Sequence, residues 1–214
     1  MEDAGRSLRI PPMKRRQFLK TLSVAFGSTP ALYLAARSEF AFAAPPQNKT
    51  PQQVLDEGPA DASWKTMMTS PDEPGEPIIV RGTIFGADGK TPLEGARLYV
   101  YHTDAHGYYN AKHSFGEPPR IRGWMKTNAQ GQYEFRTIKP AAYPGRTIPA
   151  HIHPTADAPG YPARWVDEYW FAGDPFLKKE DIEKNSGLGL FSQILKLERG
   201  ASGVFVGVRN IRLT

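Results

Sequence analysis

Residues 77–214 are a succession of short runs of β-branched and aromatic residues, each bounded by turn-forming residues such as Gly, Pro, Asn and Asp. Such runs, without intervening stretches of helical periodicity, predict strands that pack into an all-β domain. The predicted strands cover residues 78–85, 96–103, 132–138, 150–155, 165–171 and 204–213. Because 20 Gly and 20 Pro are available to form turns, we expect an antiparallel β-sandwich or barrel with few short helices.

The segment before these strands, residues 44–76, is rich in Pro and in polar and acidic residues. We expect it to form an N-terminal arm with at most a short helix near residues 52–57. The β domain itself is expected to run from residue 77 to residue 214, with a further one or two helical turns near residues 178–185.

Residues 1–43 have the composition of an export signal. Arg15 and Arg16 precede a Phe-Leu-Lys segment and a moderately apolar run, and Ala41-Phe42-Ala43 supplies a small-x-small cleavage site. The paired arginines are similar to the twin-arginine export signal, which a receptor reads as an address. The apolar run is too short for a membrane anchor. We therefore expect a periplasmic or secreted protein with no stable membrane insertion after cleavage.

The formal net charge of +5 comes mostly from this leader. Residues 1–43 hold seven of the 27 Lys and Arg and three of the 22 Asp and Glu, so the remainder carries a net charge of about +1. A nucleic-acid-binding protein needs a basic patch that survives this subtraction, and residues 44–214 contain none of useful length. We expect no nucleic-acid partner.

The absence of cysteine excludes disulfide frameworks, thiolate zinc sites and iron–sulfur clusters, so that any metal must be held by N and O ligands. His151 and His153 are the first candidates, because residues i and i+2 of a strand point the same way about 7 Å apart. Asp157 is the only nearby carboxylate. Tyrosine is the other available donor: Tyr143 precedes the pair, and a second comes from Tyr108-Tyr109.

Five segments together carry a resemblance to a known family. They are residues 102–109 (HTDAHGYY), 122–124 (RGW), 131–140 (GQYEFRTIKP), 143–146 (YPGR) and 149–153 (PAHIH). In this order they resemble the core of the intradiol ring-cleavage dioxygenases, most of all the protocatechuate 3,4-dioxygenase type, over roughly residues 77–175. The resemblance implies a β-sandwich that holds a non-haem Fe(III) ion through two tyrosines and two histidines. By position, the ligands would be Tyr109, with Tyr108 as the fallback, and Tyr143, His151 and His153.

The resemblance also implies a reaction. Enzymes of this family cleave a catecholic ring between the two hydroxyl-bearing carbons with O2, giving cis,cis-muconate-type dicarboxylic acids. Tyr143 would then be catalytic as a displaced ligand that accepts a proton. The family arginine expected three residues before the first histidine is replaced here by Ile148. Arg146 is the candidate to take over its role of stabilising negative charge.

Three further residues are candidates to line a substrate pocket: Tyr101, Trp124 and Arg164. The aromatic residues Trp165, Tyr169, Trp170 and Phe171 are expected in the core. Self-association into a homo-oligomer is compatible with the sequence.

Two other functions stay open. A cupin-like metal oxygenase would use the Gly145-x5-His151-x-His153 pattern, but the glutamate expected next is absent and Asp157 would have to replace it. A catalytically inactive, secreted β-sandwich binding module is the second, because the family arginine is missing.

Overall fold

Two β-sheets of six strands each form the framework of the computed structural model, which describes residues 49–111 and 117–214. The expected export signal, residues 1–43, lies outside these residues. Among the residues described, no helix has both the length and the apolar character needed to cross a bilayer.

The elements in chain order are α1 (Pro51–Asp56), β1 (Lys65–Met67), β2 (Pro77–Phe85), β3 (Arg97–His102), β4 (Ile121–Lys126), β5 (Gln132–Ile138), β6 (His151–Ala158), β7 (Tyr161–Trp165), β8 (Tyr169–Phe171), α2 (Lys179–Ser186), a 3-10 turn (Gly189–Phe191), β9 (Ile194–Leu195), β10 (Glu198–Arg199), β11 (Phe205–Val208) and β12 (Ile211–Arg212). The first sheet has the strand order β1-β5-β2-β11-β10, with β12 also paired to β2. The second has the order β4-β3-β6-β8-β9, with β7 paired to β6.

The expected all-β sandwich with few short helices is confirmed, but the sheets are mixed rather than purely antiparallel. The central pairs β2–β5, β3–β4 and β3–β6 are antiparallel, whereas β1–β5, β2–β11 and β8–β9 are parallel. The parallel partners are short strands of two to four residues. Short strands at the ends of loops can pair parallel or antiparallel to their neighbours, and the sequence does not reveal which of the two arrangements forms.

The main core lies between the two sheets and follows from the alternation of side chains along each strand. Its members are fully buried aliphatic and aromatic residues, among them Ile78, Val80, Ile84, Leu98, Val100, Tyr133, Phe135, Ile152, Ala156, Tyr169 and Phe171. Each large side chain buried in this way contributes roughly 1.5–3 kcal/mol to folding relative to an exposed one. This packing holds β6 rigidly in the middle of the second sheet.

A second cluster covers the outer face of the second sheet. Tyr99 and Tyr101 pack there against Val54 and Leu55 of α1. The helix begins at Thr50, whose hydroxyl accepts from the backbone N–H of Gln53 while the Gln53 side chain accepts from the backbone N–H of Thr50. The short helix predicted near residues 52–57 is therefore observed at Pro51–Asp56, and it closes over this face.

An ion-pair network ties α1 to the sheet beneath it. The Arg97 guanidinium binds both oxygens of Asp157 on β6, with Nε at 3.0 Å from Oδ1, and reaches Asp56 of α1 at 2.8 Å. Because it is bidentate to one carboxylate and also contacts a second, this arginine fixes the helix over the sheet.

The strands predicted at 78–85, 96–103 and 132–138 are confirmed, and the one predicted at 150–155 continues to Ala158. Two predictions of single strands were wrong. Residues 165–171 divide between β7 and β8, and residues 204–213 divide between β11 and β12. Trp165, expected in the core, is 49% exposed, because β7 is an edge strand paired only with β6.

Candidate metal centre

His151 and His153 begin β6 and point away from the main core. Ile152 between them is fully buried among the core residues, so the alternation of the strand puts both imidazoles on the outer face. Their rings lie 4.4 Å apart at an angle of 86°. The prediction that the His-x-His pair shares one face of a strand is confirmed.

The acceptor atoms beside Nδ1 indicate the tautomer of both rings. His151 Nδ1 lies 2.6 Å from the carbonyl oxygen of Pro149, and His153 Nδ1 lies 3.2 Å from Oε1 of Glu168. A carbonyl oxygen and a carboxylate only accept, so each Nδ1 carries the proton and donates it. With this proton on Nδ1, the lone pair of each ring is on Nε2. Both Nε2 atoms are therefore free to bind a cation.

Two tyrosine hydroxyls meet these two nitrogens. The Tyr109 hydroxyl lies 2.9 Å from Nε2 of His153, and the Tyr143 hydroxyl lies 3.0 Å from Nε2 of His151 and 3.3 Å from Nε2 of His153. The two hydroxyls also form a short hydrogen bond with each other. These contacts favour Tyr109 over Tyr108 as the first tyrosine of the set.

The two tyrosines come from two loops that are bound tightly together. Thr103 Oγ1 donates to the carbonyl oxygen of Ala141 at 2.7 Å, and Ala141 N donates to the carbonyl oxygen of Asp104 at 3.1 Å. Gly107 has a φ of 86°, and a Cβ at this position would lie 2.2 Å from the carbonyl oxygen of Ala142. Only glycine allows the loops this approach.

Burial shifts the pKa of each group in the direction that favours the neutral form of that group. It raises the pKa of the Tyr109 and Tyr143 hydroxyls above the usual range, and neighbouring negative charge adds to the effect. Burial also lowers the pKa of His153, against the opposing effect of Glu168. For Glu168 itself burial acts to raise the pKa, but the contacts with His153, His151 and the Trp170 N–H outweigh it and lower that pKa to about 2.

Of the residues predicted to line a pocket, Tyr101 lies beside the cluster. It is almost fully buried and stacks on the His153 ring, with centroids 4.6 Å apart and planes at 13°. Tyr99 stacks on Tyr101 in turn, and Trp124 packs on Tyr99 at 4.8 Å. An aromatic wall therefore extends from His153 along the outer face of the sheet.

Arg164 is not brought to this cluster. It lies opposite Ala156, a main-core residue, so it belongs to the other face of the sheet from His153. Its guanidinium donates to the Thr214 hydroxyl in an open cavity that also includes Arg209 and Arg212.

Arg146 and Asp157, the other two charged candidates, differ in position. Arg146 is exposed in the turn after Tyr143, and its backbone N–H donates to the Tyr143 carbonyl oxygen at 3.1 Å. Asp157 lies four residues along β6 from His153, about 13 Å away, and binds Arg97. The expectation that Asp157 could complete a metal site was wrong because this carboxylate belongs to the ion-pair network.

Glu168 is the residue that sequence reasoning missed. It lies within the 165–171 run that predicts a continuous strand of aromatic residues, and no motif marks it. In the structure its carboxylate groups with His151 and His153, with their ligand atoms within 4.8 Å of one another. The signal that could have found it is the alternation of β6 against a partner strand, which requires knowing the pairing.

The donor set fits a metal ion. The contacting donor atoms are about 3 Å apart, which is the spacing of adjacent ligands around a first-row ion with bonds of ~2.0–2.2 Å. Both nitrogens present lone pairs. The two half-buried phenols, whose pKa is raised, keep their protons unless a cation compensates the charge, and phenolate is a hard donor suited to a trivalent ion.

Comparison with known proteins agrees with this geometry. The family model described as "Dioxygenase" matches residues 49–207, most of the chain. The curated proteins that match include catechol and protocatechuate dioxygenases. The chain belongs to the intradiol dioxygenase family.

Two relatives illustrate the similarity of this intradiol dioxygenase family member. It is 32% identical over 121 residues to catechol 1,2-dioxygenase 2 of Acinetobacter lwoffii, covering 49% of this chain and 43% of the relative. It is 33% identical over 138 residues to the protocatechuate 3,4-dioxygenase beta chain of Burkholderia cepacia, covering 59% and 58% respectively. The chain thus spans about half the length of these curated relatives.

Solved structures share the fold. The dioxygenase domain of a dioxygenase–carbohydrate-binding protein fusion from Streptomyces sp. SirexAA-E is 28% identical, with a TM-score of 0.53 over 79% of this chain and 98% of that one. Catechol 1,2-dioxygenase of Acinetobacter sp. ADP1 is 23% identical, with a TM-score of 0.55 over 93% and 76%. The second likeness supports the intradiol dioxygenase fold alone.

Proposed function

We propose that the chain is a non-haem Fe(III) dioxygenase that cleaves catecholic rings between the two hydroxyl-bearing carbons. Its substrates would be a catechol and O2, and its products cis,cis-muconate-type dicarboxylic acids. The single observation that carries the proposal is the convergence of two tyrosine hydroxyls and two histidine Nε2 atoms at one point. Family membership over residues 49–207 supports the same reaction class.

The residues that would hold the iron are Tyr109, Tyr143, His151 and His153. When bound, the ferric ion would supply Lewis acidity and the electron transfer that lets a catechol react with O2. Two phenolates offset two of its three charges, so the donor set favours the ferric over the ferrous state.

Tyr143 is the better candidate of the two tyrosines to act as a base. Tyr109 is followed by buried Asn110 and touches Tyr101, which holds its ring in place. Tyr143 instead precedes an exposed turn, residues 144–147. A catechol must lose two protons to chelate a metal ion, and the Tyr143 oxygen, 3.0 Å from His151 Nε2, would accept one of them.

The Arg146 guanidinium would stabilise negative charge on the bound substrate. Arg146 stands three residues after Tyr143 on the exposed turn, so its guanidinium can approach an anionic substrate bound at the cluster. The half-buried Ile148 offers no charge. Arg146→Ala is therefore expected to reduce kcat/KM for catechol, with Arg164→Ala as the matched control on the other face of the sheet.

The decisive experiment measures oxygen uptake by the iron-loaded chain across a panel of catechols, with the ring-cleavage products identified. Uptake with formation of muconate-type acids is the expected result, together with a red-brown colour from phenolate-to-iron charge transfer. The Tyr143→Phe variant should lose both activity and part of this visible absorption. A colourless iron-loaded protein with no uptake would overturn the proposal and favour a binding module.

Export belongs to the same proposal and rests on the pattern of residues 1–43. The twin-arginine route carries folded proteins, which suits an enzyme that receives its iron before crossing the membrane. Replacing Arg15 and Arg16 by lysine should leave the protein in the cytoplasm of an expressing bacterium, whereas the unaltered chain should be found outside it. Size-exclusion chromatography of the exported protein tests the expectation of a homo-oligomer.

A further inference from the structure

Glu168 contacts His153 from the side opposite the tyrosines. One carboxylate oxygen lies 3.2 Å from His153 Nδ1, and the other accepts from Trp170 Nε1 at 3.1 Å. The Tyr109 hydroxyl contacts the other nitrogen of the same ring, Nε2. His153 is thus held between a carboxylate on one edge and a tyrosine hydroxyl on the other.

The strand pairing explains why Glu168 stands there. In the antiparallel ladder of β6 with β8, Trp170 pairs with His151 and Tyr169 pairs with Ile152. One step further in the same register places Glu168 opposite His153, although β8 itself begins at Tyr169. The register of the two strands therefore brings Glu168, which directly precedes β8, opposite His153.

The two histidines consequently differ in electronic character. His151 donates its Nδ1 proton to the carbonyl oxygen of Pro149, a neutral acceptor. His153 donates to a carboxylate, an anionic acceptor. A carboxylate bound to the far nitrogen of a histidine fixes its tautomer and orientation and raises the basicity of the nitrogen that binds metal.

We propose that Glu168 is the positioning residue of the metal centre, which fixes His153 with Nε2 toward the tyrosines and makes it the stronger donor of the two histidines. Glu168 acts through His153 and does not touch the reactants. With two phenolates, its carboxylate brings three negative charges to the site, which match a trivalent cation. This role rests on the proposed function, since it concerns the binding of Fe(III).

Direct ligation by Glu168 is the competing arrangement. Its nearer oxygen lies 3.9 Å from Nε2 of His151 and faces the protonated nitrogen of His153. To bind the ion together with both Nε2 atoms, the carboxylate would have to leave His153 and Trp170. The hydrogen bonds thus place Glu168 behind the ligand His153.

The test uses Glu168→Ala, Glu168→Gln and the control Asp167→Asn. Glu168→Ala removes the charge and the acceptor, whereas Glu168→Gln removes the charge but keeps one acceptor oxygen. Asp167→Asn removes the same charge from the neighbouring exposed residue. Long-range 1H–15N NMR of the metal-free full chain reads the His153 tautomer, and competition with a chelator measures Fe(III) and Zn(II) affinity.

Wild type and Asp167→Asn should show His153 protonated on Nδ1 alone. Glu168→Ala should show a mixture of tautomers and bind Fe(III) about 10- to 100-fold more weakly, with a smaller loss for Zn(II). Glu168→Gln should keep the tautomer, lose about 10-fold in Fe(III) affinity and shift the visible band of the ferric protein.

An unchanged tautomer in Glu168→Ala, or Fe(III) affinity within two-fold of wild type in either Glu168 variant, would overturn the proposal. If Glu168→Ala does not fold, the affinity and visible band of Glu168→Gln decide the question. If even the wild type binds no Fe(III), the proposed function fails. The tautomers of the metal-free wild type and Glu168→Ala then still decide whether Glu168 fixes His153.

Discussion

The two faces of the second sheet are both buried, but they are filled in opposite ways. The inner face presents Leu98, Val100 and Ile152, which are fully buried and have no polar side-chain atoms. The outer face presents the Tyr101 ring, which stacks on His153, and the polar atoms of His153 and Tyr109, which contact each other. The degree of burial therefore does not distinguish the core face from the face that carries the candidate site. Polar side-chain atoms that converge on one another do distinguish it.

The difference has an energetic side. The inner face gains free energy from area removed from water, at about 25 cal/mol per Å². The outer face also buries large rings, but it holds phenols of raised pKa beside histidines with inward-facing lone pairs. Such a cluster gains little from folding alone and has most to gain from a bound cation, because the ion binds the folded state.

The strongest test of this contrast changes the outer face at His153. His153→Gln keeps a polar side chain of similar size but removes the imidazole donor, so Fe(III) affinity and ring-cleavage activity should fall by more than ~100-fold, since even outer-shell changes cost 10–100-fold. The unfolding free energy of the metal-free protein, measured in urea, should change by about 1 kcal/mol or less. A variant that keeps its iron would contradict the assignment of His153 as a ligand.

The reciprocal test changes the adjacent residue on the inner face. Ile152→Ala leaves a cavity among fully buried neighbours and should lower the unfolding free energy by roughly 2–5 kcal/mol. The folded fraction of this variant should still bind Fe(III) with affinity within a few-fold of wild type. Equal losses of stability in Ile152→Ala and His153→Gln would remove the distinction between the faces.

His102 breaks the pattern, because it is an imidazole on the inner face. Its Nδ1 donates to the Thr103 carbonyl oxygen at 2.6 Å, and its Nε2 accepts from the Thr137 hydroxyl at 2.7 Å. Burial lowers its pKa to about 4, against the usual 6.5. His102 is thus a neutral structural residue that has no part in the metal centre.

A pH dependence of stability follows from this shift. Between pH 6.5 and 4 the unfolded chain binds a proton at His102 that the folded chain does not, so the unfolding free energy should fall as the pH is lowered through this window, by up to ~3 kcal/mol. The check is urea unfolding of metal-free wild type and His102→Gln at pH 7 and pH 4.5. The wild type should lose more stability than the variant, and parallel losses would count against a neutral buried His102.

The smallest effect is expected at Trp124 on the outer face. Its indole N–H donates to the Val54 carbonyl oxygen at 2.9 Å and so joins α1 to the sheet. Trp124→Phe keeps an aromatic side chain but removes this N–H donor, and it should lower the unfolding free energy by about 1 kcal/mol. The exposed Trp165 provides the control, since Trp165→Phe should change stability by less than ~0.5 kcal/mol.

Much of the fold followed from local pattern. The strand Gln132–Ile138 was predicted with its bounds, because a polar turn ends at Gly131 and side chains then alternate. Ile121–Lys126 was missed because Arg122 and Gly123 interrupt the apolar pattern. The structure gives the reason for the glycine: a Cβ at residue 123 would lie 2.9 Å from Met68 Cγ, so it leaves room for the chain that crosses it.

The site was predictable where its residues stand in ordered motifs, as Tyr143, His151 and His153 do. Glu168 was not predictable, because its contact with His153 depends on the pairing of β6 with β8, and β8 is separated from β7 by the segment that contains Glu168. Arg164 was a wrong expectation for a similar reason, since the face on which it lies depends on its partner Ala156. Pairing between distant strands is the information that a single sequence lacks.

Gly107 determines how closely the two tyrosine-bearing loops of the candidate metal centre can approach each other. The carbonyl oxygen of Ala142 occupies the space where any other residue would carry its first side-chain carbon, and the φ of 86° excludes the same residues independently. The loop bearing Tyr109 and the loop bearing Tyr143 therefore meet backbone to backbone at this position, with no room for a side chain between them. A larger residue at position 107 would have to push these two loops apart, and so would separate the Tyr109 and Tyr143 hydroxyls that contact each other.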